Sequence, residues 1–296
     1  MTLLPHPIIH HPTIFGVGPV QLTGFGFAIL MCFVIGQVVA QKELARRGFD
    51  PNPVGDMVFA AVVGGLLGAK LYYVLVLGHW DAIFERGGFV YWGGLLGGTL
   101  AVMAVVRRKR FGVLRMLDVG GISIAAAYAV GRTGCWAIGD DYGRPWQGFL
   151  AVAFPEGAPP STGGIMAHEF GTVMPPGTTP TTLLSVFPTQ LYEVALGFIM
   201  FLILWRMRDH KHAEGWLFGV YCVLAGIERF FIEFFRAKDD RLVMGLTYAQ
   251  MIALAFVAFG VVWMSWRWRV TIDKPGIYAD KPTATTAHSE LTESPA

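Results

Sequence analysis

The sequence predicts an all-α, polytopic integral membrane protein with about seven transmembrane helices and one long extracytoplasmic loop. Three observations predict it: an apolar composition, a series of stretches long enough to span a bilayer, and basic residues gathered in alternate connecting loops. Hydrophobic residues make up 54% of the 296 and charged residues only 15%, and the mean hydropathy is +0.50. Soluble domains carry about 25% charged residues, so this chain has too little polar surface to face water all round. The formal net charge of +2 gives no ground for a nucleic-acid partner.

A helical crossing takes roughly 20 apolar residues. Stretches of that kind run over about 20–41, 54–77, 88–106, 117–138, 187–205, 215–236 and 244–266. The first, second, fifth and seventh are the most uniformly apolar. The third is short, the fourth is rich in glycine and alanine, and the sixth ends in the charged run IERFFIEFFR. Orientation follows from basic residues in short loops. Lys42, Arg46 and Arg47 follow the first stretch, Arg107, Arg108, Lys109, Arg110 and Arg115 the third, Arg206, Arg208 and Lys211 the fifth, and Arg267 and Arg269 the last. The intervening loops are poorer, with Arg86, Arg144, Lys238 and Arg241. An odd number of spans fits this alternation, with the N-terminus outside and the C-terminus in the cytoplasm.

Three regions follow: an extracytoplasmic N-terminal segment at 1–19, a transmembrane body at 20–268, and a polar cytoplasmic tail at 269–296 expected to be disordered. The opening residues lack a basic n-region and a clear apolar h-region, so the first span itself is expected to direct insertion. The long loop at about 139–186 is rich in Pro, Gly and Thr (PEGAPPSTGG, PPGTTPTT) and reads either as a flexible lid or as an irregular cap. Glycine clusters at 64–68, 93–98 and 120–121 read as close helix packing, or as places where a headgroup passes near the backbone. Cys32, Cys135 and Cys222 lie in apolar stretches without metal-binding spacing.

Charges inside spans are costly, roughly 2.5–3.5 kcal/mol each at a helix centre. This chain places Lys70 in the second span, Arg132 near the end of the fourth, Glu193 in the fifth, and Glu228, Arg229, Glu233 and Arg236 in the sixth. Arg229 and Glu233 are one turn apart on one face. Glu228 lies about 100° round the helix and points elsewhere. On the expected topology Arg132, Glu193, Arg229 and Glu233 all fall in outward halves of their spans. Two guanidinium groups at one depth suit an anionic phosphate, which they bind bidentately, and the phosphate available there belongs to a phospholipid. The segment GDDYGRPW at 139–146 follows, with glycines that let the chain turn at the membrane surface. Its Asp140 and Asp141 are candidates for a general base or for a hydroxyl-rich headgroup. No further carboxylates at useful spacing support a metal, and no cofactor is called for.

These residues resemble those of bacterial prolipoprotein diacylglyceryl transferases. The likeness runs over about 20–260, carried by GRTGCWAIGDDYGR at 131–144, PTQLYE at 188–193 and IERFFIEFFR at 227–236, and more weakly by GFGFAIL at 24–30, GGLLGAKLYYVL at 64–75 and YWGGLLGG at 91–98. The resemblance implies seven spans in the bacterial cytoplasmic (inner) membrane. It implies transfer of the diacylglyceryl group of phosphatidylglycerol to the lipobox cysteine of a prolipoprotein signal peptide, with release of glycerol phosphate. It implies a catalytic set of Arg132, Arg229, Glu233 and Asp140, with the two arginines on the phosphate. It also implies a substrate-binding set of Arg132, Gly143, Gln190, Tyr192, Glu193, Trp92 and Phe25.

The match is uneven. The family's usual segment G-R-x-G-N-F-x-N-x-E has Cys135 and Ile138 here at its two asparagine positions, and Asp140 at its glutamate. Trp92 stands where the family often has His or Tyr, and an indole N–H only donates. Phe25 replaces a Tyr, and Phe187 a common His. The phosphate-binding half is kept and the proton-handling half is altered. Two alternatives stay open at this point: a related membrane transferase with another lipid or acceptor, and a non-enzymatic lipid-binding protein or transporter.

Overall fold

The computed structural model describes residues 8, 15–17, 20–84, 90–174, 176–238, 241–243 and 245–268. The tail expected at 269–296 and most of the 1–19 segment lie outside the described residues. Seven long helices match the seven apolar stretches: α1 (Gly24–Arg46), α2 (Pro53–Leu77), α3 (Tyr91–Arg108), α4 (Val113–Ile138), α6 (Thr189–Met207), α7 (Trp216–Ile232) and α8 (Tyr248–Trp268). A six-residue helix, α5 (Gly163–His168), lies in the long loop. Two small antiparallel pairs, β1 (Phe15–Val17) with β2 (Val20–Leu22) and β3 (Arg241–Val243) with β4 (Leu246–Thr247), precede α1 and α8. Among the described residues, five helices (α1, α2, α4, α6 and α8) are long and apolar enough to cross a membrane, and the protein is a polytopic membrane protein. Helix α7 has 17 residues, and the 18 of α3 end in Arg107 and Arg108.

Two compact units make up the chain. Among the described residues, one comprises those up to Val39, Gly120–Arg208 and Leu217–Met264; the other comprises Ala40–Val119, Asp209–Trp216 and those from Ser265 onward. In the first, small residues let α4 approach its neighbours. A Cβ on Gly36 of α1 would touch Ala127 at 3.5 Å, one on Gly197 of α6 would reach Tyr128 at 2.8 Å, and one on Gly121 of α4 would reach Tyr221 of α7 at 3.1 Å. Helices α7 and α8 meet the same way, through Gly226 against Ala253 and Gly260 against Gly219.

The long loop is a packed cap. Tyr142, Val152, Phe154, Met166, Val186 and Ala237 form a buried apolar cluster, with Trp136, Phe170, Met174 and Leu184 against it. Ser161 Oγ accepts from the Phe154 N–H at 2.9 Å and donates to the Leu184 carbonyl at 2.9 Å, which ties the loop's limbs together. Helix α7 ends at Ile232, four residues short of the stretch expected to 236. The chain leaves the helix because its backbone pairs with the cap instead: the Arg144 N–H donates to the Phe235 carbonyl at 2.9 Å, and Gly143 bridges Arg236.

In the second unit α2 and α3 pack through glycine. A Cβ on Gly68 would collide with the Gly93 carbonyl and, at 2.8 Å, with Gly97 Cα. Leu44, Val54 and Val119 are buried with Ala40, flanked by Phe49, Val58, Phe111 and Met116. Charges close this unit: Glu43, fully buried, accepts from Arg46 and Arg47 at 2.6 and 2.7 Å. Arg115 pairs with Glu214 at 2.6 Å, and the Gly215 N–H donates to Asp118 at 2.7 Å. Lys70 lies over the Tyr73 ring, 5.3 Å from its centroid.

Candidate functional site

The site is built where α4 ends. Gly139 turns left-handed at φ +67, and its N–H and that of Asp140 both reach back to the Cys135 carbonyl at 2.9 and 3.2 Å, the usual glycine stop of a helix. Asp141 follows at φ +54, a conformation aspartate tolerates better than most residues. That turn folds the aspartates back beside the last turn of α4. Two side chains of α6 hold the turn by its backbone. Gln190 donates to the Asp140 carbonyl and Thr189 to the Asp141 carbonyl, both at 2.6 Å.

Arg132 on α4 then meets two carboxylates. It donates to Asp141 Oδ2 at 2.8 Å and pairs with the fully buried Glu193 at 3.1 Å. The other Asp141 oxygen takes Arg236 at 2.5 Å. Arg236 in turn lies 3.8 Å from Glu233, and Glu233 pairs with Arg229 at 2.6 Å. Five of the intramembrane charges read from the sequence, joined by Asp141, thus form one continuous chain, Arg229–Glu233–Arg236–Asp141–Arg132–Glu193. Glu228 turns away from the Arg229–Glu233 pair, as its helical phase requires, but rejoins the chain through Tyr128. Its carboxylate lies 3.0 Å from the Tyr128 hydroxyl, which is also 3.4 Å from Glu193.

The two neighbouring aspartates are driven apart electrostatically. Burial raises the Asp140 carboxyl and the charge of Asp141 adds to it, bringing it to about 6. Burial opposes the Asp141 charge too, but Arg236 and then Arg132 hold that carboxyl down at about 2. At neutral pH Asp141 is therefore a fixed anion and Asp140 a group able to take a proton. Cys135 Sγ and both aspartates lie within 4.8 Å of one another, a spacing able to hold a cation. Arg132 already aims its guanidinium there, 3.6 Å from Sγ, so the positive charge a metal would supply is in place.

Gly143 is a point of close backbone approach. A Cβ there would strike the Phe235 carbonyl, lie 2.6 Å from Phe187 Cβ and come within 3.0 Å of Thr189. Tyr192 packs edge-on to Phe235 at 6.0 Å. Phe25 lies along α4 beside Gly134, 3.3 Å from where a Cβ would sit. Trp92 belongs to the second unit, half exposed and edge-on to Tyr91 at 5.6 Å. The sequence marked Arg236 as an intramembrane charge without giving it a site role, and it singled out neither Tyr128 nor the ion-pairing role of Asp141. Tyr128 carried one signal, its place one turn before Arg132 on the same helix face.

The donor pattern suits an anion. Arg229 is partly exposed, and its Nη1 is a buried nitrogen with no hydrogen-bond partner among the described residues. A buried unsatisfied donor is costly until an acceptor arrives. The family model described as prolipoprotein diacylglyceryl transferase matches residues 12–266. Relatives named phosphatidylglycerol–prolipoprotein diacylglyceryl transferase include one from Clostridium tetani, 27% identical over 257 residues, covering 84% of this chain and 95% of the relative. One from Paraburkholderia phymatum is 30% identical over 290 residues, 87% of this chain and 93% of its own length. Another, from Paraburkholderia phytofirmans, is 29% identical over 305 residues, covering 92% and 98%.

Proposed function

The chain belongs to the prolipoprotein diacylglyceryl transferase family, and from that premise we propose how its residues divide the work. It is a transferase that moves the diacylglyceryl group of phosphatidylglycerol to the cysteine of a prolipoprotein. A carbon–sulfur bond forms at the lipid's glyceryl carbon, and the carbon–oxygen bond to phosphate breaks. The phosphate oxygen keeps the electron pair and leaves as glycerol phosphate, while the thiol proton goes to a base. Negative charge grows on the phosphate as the bond breaks, so fixed cations aimed at it lower the barrier.

Arg229 and Arg132 hold that phosphate. The observation that carries this is Arg229 Nη1, a buried donor without an acceptor among the described residues, on a guanidinium whose Nη2 is fixed 2.6 Å from Glu233. Glu233 orients Arg229. Asp140 takes the thiol proton. It is the aspartate whose carboxyl titrates near neutrality, and a base works best when its pKa lies close to the working pH. Asp141 fixes Arg132 and Arg236. The acceptor cysteine lies in the lipobox of a signal peptide. The N-terminus faces outward and the C-terminus the cytoplasm, with the 139–186 cap outside the bacterial inner membrane, as the basic loops favour.

The test is complementation of a bacterial strain depleted of its own transferase, scored by thioether-linked diacylglyceryl on a reporter lipoprotein. Modification is expected with the wild type and is expected to be lost in Arg132→Ala and Arg229→Ala variants that still insert. A wild-type chain that is expressed in the membrane yet leaves the reporter unmodified would sink the reading.

A further inference from the structure

Tyr128 and Glu228 extend the charge chain beyond Glu193, and the proposed transfer gives these two residues no role. The Tyr128 hydroxyl lies 3.0 Å from Glu228 Oε1 and 3.4 Å from Glu193 Oε1. Glu193 is 0% exposed and Glu228 9%. One hydroxyl carries one hydrogen, so it can donate to only one of two carboxylates. If both were ionised, the other contact would set oxygen lone pairs against each other in a low-dielectric interior. Two buried like charges sharing a site do not both ionise. One extra proton held within the trio of Glu193, Tyr128 and Glu228 removes that conflict. Arg132 stands 3.1 Å from Glu193 in direct contact and favours the anion there, so the relay starts with the proton on Glu228. Glu228 then donates to Tyr128, and Tyr128 donates to Glu193.

We propose that this trio is a proton relay that lets Arg132 exchange its carboxylate partner for the phosphate of the incoming lipid. This rests on the reading of Arg132 as a phosphate ligand. A lipid phosphodiester brings one negative charge to a guanidinium already paired with Glu193. Left ionised, Glu193 would repel it. Glu193 Oε2 is also a buried oxygen with no hydrogen-bond partner among the described residues, so Arg132 is the guanidinium in direct contact with that carboxylate. When the phosphate engages Arg132, the Glu228 O–H gives its proton to the Tyr128 oxygen. Tyr128 gives its own proton to Glu193. Two O–H bonds break and two form, Tyr128 ends as it began, and the negative charge moves from Glu193 to Glu228. Tyr128 and Glu228 act through Glu193 and are positioning residues.

The experiment uses full-length protein in phosphatidylcholine nanodiscs, titrated with phosphatidylglycerol and followed by infrared difference spectroscopy. The lipid-free protein is expected to show one protonated-carboxyl band that vanishes in Glu228→Gln. On adding phosphatidylglycerol the wild-type band should shift, and a new band should be absent in Glu193→Gln. Tyr128→Phe and Glu228→Gln should weaken phosphatidylglycerol binding about tenfold, because Glu193 can no longer be neutralised from within. Adding Glu193→Gln to Glu228→Gln should restore binding, since the neutral amide needs no proton; a merely structural role for Glu228 predicts no rescue. The proposal is overturned if the lipid-free band survives Glu228→Gln, if it does not shift with lipid, or if the second substitution fails to rescue. None of these readouts requires turnover. A chain that binds the lipid with these signatures yet modifies no reporter would overturn the transferase roles and leave the relay standing.

Discussion

Arg132 donates to Asp141 at 2.8 Å across the turn that closes α4, and the left-handed backbone of Asp141 makes that contact possible. Because the second Asp141 oxygen takes Arg236 at 2.5 Å, a single carboxylate spaces two guanidinium groups. Asp141→Asn presents an amide NH2 to one of them and loses the charge that fixes both. The expected loss is about 10–100-fold in kcat/KM for phosphatidylglycerol, or about 1.4–2.8 kcal/mol of transition-state stabilisation. Steady-state kinetics in mixed micelles measures it. Unchanged kinetics would remove Asp141 from the site.

Asp140 makes a prediction in pH. A proton acceptor works when ionised, so transfer should fall as pH drops through about 6, where burial and then Asp141 hold its carboxyl. Asp141, held at about 2, stays ionised throughout and adds no limb. Asp140→Asn should lower the rate about 10²–10⁴-fold and abolish the acidic limb. Stability moves the opposite way. A carboxyl whose folded pKa lies above its unfolded value near 3.8 binds more protons when folded between the two, so stability falls as pH rises through that window. Asp140→Asn should therefore melt higher than wild type at pH 7.5, with the gap closing towards pH 4. A limb that persists in the variant would assign the base elsewhere.

The contrast between the two aspartates shows where sequence reasoning stops. The pairing of Arg229 with Glu233, and the turning away of Glu228, follow from helical phase alone. The shared depth of Arg132 and Glu193 follows from the topology, whereas their pairing was not marked in the sequence. Which of Asp140 and Asp141 would bind the arginines depended on a left-handed turn that an Asp-Asp pair does not announce. The early end of α7 was hidden for a related reason. Residues 233–236 read as helix, but their backbone groups find partners in the cap, a tertiary preference that no local pattern carries. The cap itself, Pro- and Gly-rich between helices, concealed a core because Phe154, Met166 and Val186 are scattered along 33 residues without a period.

Gly143 should tolerate no side chain. Its Cβ position lies against the Phe235 carbonyl, Phe187 and Thr189, two of which belong to backbone or to short, stiff side chains. Gly143→Ala is expected to cost about 1–3 kcal/mol through overpacking and to lower the apparent melting temperature in detergent. Transfer should fall too, because the same strand pairing aligns Arg236. A wild-type melting curve would contradict this.

The α2–α3 pair carries a test within its own unit. Gly64, Gly68, Gly93 and Gly97 bring the two backbones close enough that a Cβ on Gly97 would collide with the Gly64 carbonyl and lie 2.8 Å from Gly68 Cα. Small residues drive helix association in lipid because close packing replaces the absent hydrophobic force. Gly97→Val should separate the helices, read as lost cross-linking between cysteines introduced at Ala61 and Gly98. Retained cross-linking would show that the glycines are dispensable.

Arg229 and Glu233 give the last prediction, a double-mutant cycle. Their ion pair, at 2.6 Å, joins a partly exposed guanidinium to a carboxylate with 2% of its side chain exposed. Removing Arg229 strands that carboxylate, with Arg236 3.8 Å away as its remaining partner. Losing one partner of a buried pair costs about 3–5 kcal/mol, and the exposure of Arg229 should bring this towards the lower figure. Removing both leaves neither member of the pair stranded, so Arg229→Ala with Glu233→Ala should be more stable than the sum of the single losses implies. Activity should not follow stability. Glu233→Ala keeps the guanidinium and should retain part of the transfer, whereas Arg229→Ala should lose nearly all of it with or without Glu233. Arg229→Lys restores charge without the planar fork that grips a phosphate and should recover stability better than rate. Equal activity in Arg229→Ala and Glu233→Ala would show that the pair is structural and that the phosphate is held elsewhere.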